Sequence, residues 1–260
     1  MSAVKEMSMQ QKGERSDSGS TLRTRLLQGL TVITVLAVLF GAYVALFVVG
    51  TDETQGEVQR IFYFHVSSFA AAFIGFTVGV VGGALYLWKR QEKWDALALA
   101  GIEVGFTLSL INLITGMVWA RPIWNTWWTW DPRLTSAAIM CLTYAAYLML
   151  RNGIENRELR RRFASIYGIL AMSTVIFTLV IIRVRPDTIH PVVIEPQVAA
   201  QGAATDAEGS FTMSATISQT LGINSFIWSV LLPLTLIWWR VRLQNAAERV
   251  EQLKAKLLEQ

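Results

Sequence analysis

Six long apolar runs dominate this chain of 260 residues and constrain its fold more than any other feature. A helix needs about 20 predominantly apolar residues to cross the hydrocarbon core of a bilayer, and each run is long enough. The chain is 53% hydrophobic and only 16% charged, whereas an average soluble domain carries about 25% charged residues. None of the runs alternates with the period of a strand, so the sequence predicts an all-α membrane protein with six transmembrane helices. The predicted spans are Leu26–Val49, Ile61–Trp88, Ala96–Val118, Leu134–Leu150, Phe163–Val184 and Ala215–Trp239.

The distribution of lysine and arginine predicts how the chain is oriented in the membrane. Eighteen of the 23 basic residues fall in the two tails and in the second and fourth connections. Cytoplasmic segments carry such an excess, so we expect both termini to be cytoplasmic. The predicted organisation is a cytoplasmic tail (1–25), a six-helix membrane domain (26–240) and a charged amphipathic tail (241–260), which either meets the membrane or a partner or extends the sixth helix. In the fifth connection, residues 201–206 are expected to be mobile.

Half of the tryptophans are concentrated in the connection between the third and fourth spans, which is predicted to face outward. They are Trp119, Trp124, Trp127, Trp128 and Trp130. Indole offers a flat apolar face and one N–H donor, so a cluster of this density suits a flat apolar ligand. An aromatic belt at the membrane–water interface is the alternative. Asp131 and Pro132 also have a structural explanation, because Asp at the N-cap and Pro in the first turn favour the start of a helix.

The chain has only two histidines, and both adjoin segments that are predicted to face outward. His65 lies near the start of the second span and His190 just beyond the end of the fifth, so we expect both at one membrane depth. A lone interfacial histidine is usually structural. A pair at matching depth beside the tryptophans instead indicates axial ligation of haem iron, for which imidazole is a common ligand.

All five arginines on the predicted outer side lie close to a histidine or within the tryptophan-rich stretch. They are Arg60, Arg121, Arg133, Arg183 and Arg185. Guanidinium binds carboxylates bidentately, so these residues suit the propionates of haem. Anchoring at the membrane interface is the alternative for each of them.

Other kinds of site fit the sequence less well. A zinc site takes three or four protein ligands, and the outward segments offer two histidines and no cysteine. The sequence contains no nucleotide-binding loop and no nucleophile elbow. Cys141 is expected to be packed in a span. In the third span, Glu103 is expected to be protonated or paired, and Asn112 either links helices or lines a ligand path.

At these residues the chain resembles the haem-handling membrane proteins of cytochrome c maturation, and within them the haem exporter protein C (CcmC) family. The resemblance covers about residues 26–240. The matching features are the tryptophan-rich motif from Trp119 to Ser136, the motif Ile61-Phe62-Tyr63-x-His65-Val66, Glu103-x-Gly105, and His190 after the fifth span. Three positions depart from the family pattern: Ala120 and Asn125 stand where it usually has glycine, and Ser67 where it often has proline.

The resemblance implies that b-type haem is bound non-covalently at the outer face, with His65 and His190 as axial metal ligands. The other haem-binding residues that it implies are Trp119, Trp124, Trp127, Trp128, Trp130, Asp131 and Arg133. It also implies delivery of haem to a periplasmic, CcmE-like chaperone, without turnover chemistry on a metabolite. The partners implied are ATP-binding cassette subunits and a small single-span protein, in the bacterial inner membrane.

Two other functions are compatible with the residues. One is a membrane oxidoreductase subunit that binds b-type haem or quinone. The other is a transporter of a different flat amphipathic solute. An outward pair of histidines without a second, inward pair argues against electron transfer across the membrane.

Overall fold

The computed structural model describes the backbone of residues 2–53, 55–185, 188–190 and 214–258, and the side chains of the same residues except 2–20 and 182–183. All the secondary-structure elements among these residues are helices. The α-helices are α1 (Ser2–Tyr43), α2 (Ile61–Lys89), α3 (Glu92–Trp124), α4 (Pro132–Gly153), α5 (Arg157–Val184), α6 (Ala215–Phe226) and α7 (Leu232–Leu258). A π-helical turn, Val44–Val48, continues α1, and another, Ile227–Leu231, joins α6 to α7.

Six helical segments are long and apolar enough to cross a membrane, which confirms the predicted number and type of spans. They are Thr21–Val48, Glu57–Lys89, Glu92–Trp124, Pro132–Gly153, Arg157–Ile181 and Ala215–Leu258. The last one combines α6, its π-helical turn and α7. This turn comes just before Pro233, whose ring removes one backbone donor from the helix. The chain is an all-α membrane protein.

Several helices extend beyond the apolar runs that predicted them. The helix α1 begins at Ser2, within the predicted N-terminal tail. The helix α3 includes Trp119–Trp124 and ends where Asn125 adopts a left-handed conformation with φ of 53°. Glycine favours that conformation and Asn tolerates it, which explains how Asn125 stands in a glycine position. The C-terminal tail is the uninterrupted continuation of α7 as far as Leu258, with Val250, Leu253 and Leu257 exposed.

The helices α2 and α3 pack unusually closely because glycines face each other along their contact. A Cβ atom added at Gly75 would lie 2.7 Å from the Cα atom of Gly105. A Cβ atom added at Gly101 would lie 2.7 Å from the carbonyl oxygen of Gly75. Small residues of this kind let helix backbones approach closely in membranes. This line of glycine contacts, the glycine seam, fixes the register of the two helices and brings the start of α2 beside the end of α3. We call this end of the bundle the tryptophan end.

Ion pairs connect the helices toward the opposite end. Arg151 of α4 donates two hydrogen bonds to the buried carboxylate of Asp95 in α3, at 2.8 and 2.6 Å. Glu103 is paired, as one of its two predicted states required: it forms an ion pair with Arg240 of α7, with a nitrogen–oxygen distance of 2.6 Å, and accepts one hydrogen bond of 2.8 Å from the same guanidinium. Cys141 is buried, as expected, with its sulfur 3.6 Å from the Ser109 hydroxyl. Residues 201–206, predicted to be mobile, and the side chain of Arg183 lie outside the described residues.

Candidate functional site

The two histidines meet at the tryptophan end. The ring centroids of His65 and His190 are 6.1 Å apart, and their planes make an angle of 35°. They come from different parts of the chain, because His65 lies in the second turn of α2 and His190 follows α5. The close approach of their rings agrees with the expectation that both residues lie at one depth.

Two tryptophans continue this aromatic row. The ring of Trp124 lies 6.5 Å from that of His190, at an angle of 67°. Trp119 contacts Trp124 edge to face, with centroids 5.0 Å apart. The indole nitrogen of Trp119 donates a hydrogen bond of 2.9 Å to Gln55, a buried residue of the first connection. The row thus extends from the first connection, across the last turns of α3, to the two imidazoles.

The remaining tryptophans of the segment form a second, more exposed group. Trp128 and Trp130 contact each other edge to face at 5.9 Å. Trp130 is 81% exposed and Trp127 is 54% exposed. The Thr126 hydroxyl donates a 3.0 Å hydrogen bond to the carbonyl oxygen of Trp128, which fixes the backbone between these two residues. Two of the five tryptophans therefore lie in the row with the histidines, and three lie beyond α3.

The imidazole of His65 is held by one face of α3. Its Nδ1 atom lies 3.0 Å from the carbonyl oxygen of Asn112 and 3.2 Å from the Thr115 hydroxyl. The side-chain amide of Asn112 donates a 2.8 Å hydrogen bond to the backbone carbonyl of His65. A Cβ atom added at Gly116 would come within 2.9 Å of the imidazole carbon Cε1, so this glycine provides the space that the ring occupies.

The segment that carries His190 is joined to the start of α4 by Asp131. One carboxylate oxygen accepts hydrogen bonds from the backbone N–H groups of Arg133 and Leu134, at 2.9 and 3.4 Å, so Asp131 is the predicted N-cap. The other oxygen accepts from the backbone N–H of Ile189 at 2.9 Å. Asp131 is only 8% exposed. Both oxygens are used to fix backbone, which makes the residue a connector between α4 and the residue before His190.

The polar groups of the tryptophan-rich segment and the outward arginines differ in what they contact. Arg133 lies close enough to His65 for its charge to act on the imidazole. The buried hydroxyls of Thr129 and Thr135 have no hydrogen-bond partner among the described residues. Two of the other predicted outward arginines bind locally: Arg60 pairs with Glu57 and donates to the backbone of the π-helical turn after α1, and Arg121 donates to Asn125. Arg133 is therefore an outward arginine that lies near His65.

The described residues contain no group of three or more His, Cys, Asp or Glu side chains that could hold a metal ion. At the tryptophan end the chain offers two imidazoles with aromatic rings beside them. Two imidazoles can supply the axial ligands of an iron ion whose other four ligands come from a porphyrin. An ion bound here by the histidines would have to bring further ligands of its own.

Part of this arrangement could not be predicted from the sequence. Thr115 and Gly116, which contact His65, and Gln55, which contacts Trp119, are the residues concerned. One signal was present: Asn112, Thr115 and Gly116 are spaced to lie on one face of a helix. That spacing does not reveal which residue the face contacts, because His65 is 47 positions away in another helix. Only the packing of α2 on α3 brings the two together.

Comparison with known proteins identifies the family. The CcmC family, described as "Heme exporter protein C", matches residues 14–256. The chain is 33% identical over 153 residues to Heme exporter protein C of Rhodobacter capsulatus, covering 59% of this chain and 62% of the relative. It is 33% identical over 122 residues to the protein of that name from Escherichia coli K12, covering 46% and 49%. A putative cytochrome c biosynthesis ccmC-like mitochondrial protein of Marchantia polymorpha is 30% identical over 106 residues, covering 41% and 46%.

Each of these alignments covers less than two thirds of the relative's length. The match to the family, by contrast, includes all six spans except the last residues of α7. With six membrane-spanning helices and bacterial relatives, the chain is a multi-pass protein of the inner membrane. It belongs to the heme exporter protein C family.

Proposed function

We propose that this protein binds haem at the outer face of the membrane and delivers it for cytochrome c maturation. The observation that carries the proposal is the meeting of His65 and His190 beside Trp124. These are the only two histidines of the chain, and they come from segments far apart in sequence. The names of the relatives, which refer to haem export and to cytochrome c biosynthesis, support the same function.

The separation of the imidazoles agrees with axial ligation of one iron. An imidazole nitrogen lies about 2 Å from a metal that it binds, and its ring centroid is about 1 Å further away, so two axial imidazoles have centroids roughly 6 Å apart. The observed separation is 6.1 Å. Rings in direct contact fall in the same range, and the ligand test described below distinguishes the two.

The surroundings of the histidines suit the remainder of a haem molecule. Its macrocycle needs flat apolar surface, which Trp119 and Trp124 provide beside the imidazoles, with Trp127, Trp128 and Trp130 nearby. Its propionates need donors and positive charge. Arg133 supplies the charge, and the unpartnered hydroxyls of Thr129 and Thr135 are available as donors. Asp131 contributes through the backbone that it holds. When bound, the haem supplies the iron, and the protein supplies two ligands and an apolar surface.

We further propose that haem is b-type and non-covalently bound, and that it passes to a periplasmic, CcmE-like chaperone. The exposed tryptophans Trp127 and Trp130 are the accessible part of the segment and the natural surface for that exchange. ATP-binding cassette subunits and a small single-span protein complete the assembly. In this function the protein has no catalytic residue, because it binds and transfers its cargo unchanged. An oxidoreductase subunit would instead change the haem redox state on addition of quinol, which the delivery function does not require.

The proposed ligands are tested by substituting each histidine. We expect His65→Ala and His190→Ala each to lower the haem that copurifies with the protein sharply, because loss of one axial ligand weakens the hold on the iron. Haem content per polypeptide is measured as pyridine haemochrome after purification. Because the chain has no other histidine, the two variants test the whole proposed ligand set. Unchanged haem content in both would contradict the proposal.

The contribution of the tryptophans beyond α3 is tested separately from the ligands. We expect Trp127→Ala combined with Trp128→Ala to lower haem retention or the loading of the chaperone, while the protein still inserts into the membrane. The control is Trp88→Ala, since Trp88 is also largely exposed but lies at the opposite end of α2. Normal haem retention and normal loading in the double variant would contradict the prediction and show that these two residues form only an aromatic belt.

A further inference from the structure

We propose that Asn112 is a positioning residue for His65: with Thr115 and Gly116 it holds the imidazole so that the Nε2 atom faces the ligand. The inference rests on the proposed function and deepens it. It assigns the metal-binding atom of one ligand and names the residues that select it. Asn112 is only 7% exposed and lies 47 positions from His65, in a different helix.

The hydrogen bonds around Nδ1 determine which ring nitrogen carries the proton. The nearest atom is the carbonyl oxygen of Asn112 at 3.0 Å, which can only accept. A lone pair on Nδ1 would face that oxygen unfavourably, so Nδ1 carries the proton and donates it. The Thr115 hydroxyl donates to the carbonyl oxygen of Ile111 at 2.8 Å, which leaves its own oxygen free to accept from Nδ1–H at 3.2 Å.

The side chain of Asn112 completes this arrangement rather than competing with it. Its amide nitrogen lies 3.2 Å from Nδ1, but its shorter hydrogen bond, of 2.8 Å, is donated to the backbone carbonyl of His65. That bond fixes the α2 backbone at His65 to α3. With Nδ1 protonated and occupied, the lone pair of Nε2 is the one that can bind a metal. Metal-binding histidines are commonly oriented in this way by a partner on the other nitrogen, which also raises their basicity.

Gly116 explains why the ring can occupy this place. It lies one helical turn after Asn112, on the same face of α3, and a Cβ atom there would lie 2.9 Å from Cε1 of His65. The imidazole carbon Cε1 is flanked by both ring nitrogens, so a methyl group at this point would tilt the ring and move Nε2. The carbonyl oxygen, the hydroxyl and the missing side chain of α3 thus define one ring orientation.

The test combines three substitutions that act on His65 without removing it. Asn112→Leu removes the amide that fixes the His65 backbone at nearly constant volume. Thr115→Val removes one acceptor for Nδ1–H, and Gly116→Ala adds the methyl group against the ring. The matched control is Gly222→Ala, because Gly222 lies in a helix with open space around its Cβ position. The measurements are haem content, midpoint potential of the bound haem, and thermal stability.

We expect Asn112→Leu and Gly116→Ala to lower haem affinity about tenfold, the size of effect found for residues that orient metal ligands. We expect Thr115→Val to raise the midpoint potential, because a less basic imidazole stabilises ferric iron less. A purely structural residue would change thermal stability alone. The inference is overturned if His65→Ala loses haem whereas all three variants keep the affinity and potential of the control. If His65→Ala itself keeps its haem, the proposed function fails instead.

Discussion

At the scale of single residues, Asp131 was predicted both to bind haem and to cap α4, and the structure shows the cap. Its position beside the tryptophans indicated a haem-binding residue, and its position before Pro132 indicated an N-cap. The structure confirms the N-cap and adds a hydrogen bond from Ile189. Because both carboxylate oxygens accept from backbone N–H groups, we interpret Asp131 as the residue that holds His190 in place.

This interpretation predicts the effect of Asp131→Ala. Loss of the cap costs about 1 kcal/mol of stability, and loss of the bond to Ile189 frees the segment that carries His190. We therefore expect lower haem retention as well as a lower melting temperature. Asn156→Ala is the matched control, because Asn156 caps α5 through the same kind of hydrogen bonds, at 3.0 Å to two backbone N–H groups. Equal haem retention in the two variants would contradict this function of Asp131.

The sequence was sufficient to predict the two ligands but not the residues that position them. The two histidines and five tryptophans could be recognised from residue type, because few other side chains provide axial ligands or a flat apolar surface. The function of Asn112 could not be recognised from its residue type. An Asn within a span forms hydrogen bonds with whatever the neighbouring helix presents, and that depends on helix register, which apolar periodicity does not define.

At the scale of helices, the glycine seam between α2 and α3 determines where His65 lies relative to its partners in α3. His65 belongs to α2 and its contacts belong to α3, so any separation of the two helices moves the imidazole from its partners. The spans themselves were predictable from apolar runs, but their ends were not. The helix α3 continues through Trp124, past Pro122, and ends only at Asn125. The charged tails likewise remain helical without being apolar, as α7 shows.

This view predicts that Gly75→Ala affects haem binding from a distance. The added methyl group would overlap the α3 backbone at Gly105, and overpacking of this kind costs about 1–3 kcal/mol. We expect a lower melting temperature in detergent together with weaker haem retention. Gly29→Ala is the control, because a Cβ atom at Gly29 of α1 would have nothing within 4 Å. Haem retention equal to that of the control would show that the seam does not position His65.

At the scale of the whole molecule, the orientation in the membrane decides which side receives the haem. The uneven distribution of basic residues predicts that both termini are cytoplasmic and that the tryptophan end faces outward. We expect a cysteine introduced at Glu53 to react with a membrane-impermeant maleimide in intact cells, and one introduced at Asn152 to react only after lysis. Both positions are exposed, and the native Cys141 is buried, so the background is low. The reverse labelling pattern would show that the predicted orientation is wrong.

The central claim is that His65 and His190 bind one iron from opposite sides. The most direct measurement is the absorption spectrum of the purified protein reconstituted with haem, alongside His65→Ala and His190→Ala at the same haem concentration. We predict a six-coordinate low-spin spectrum for the unaltered protein and its loss in each variant. A low-spin spectrum that persists unchanged in both variants would show that the two imidazoles meet without binding the iron, and would contradict the account.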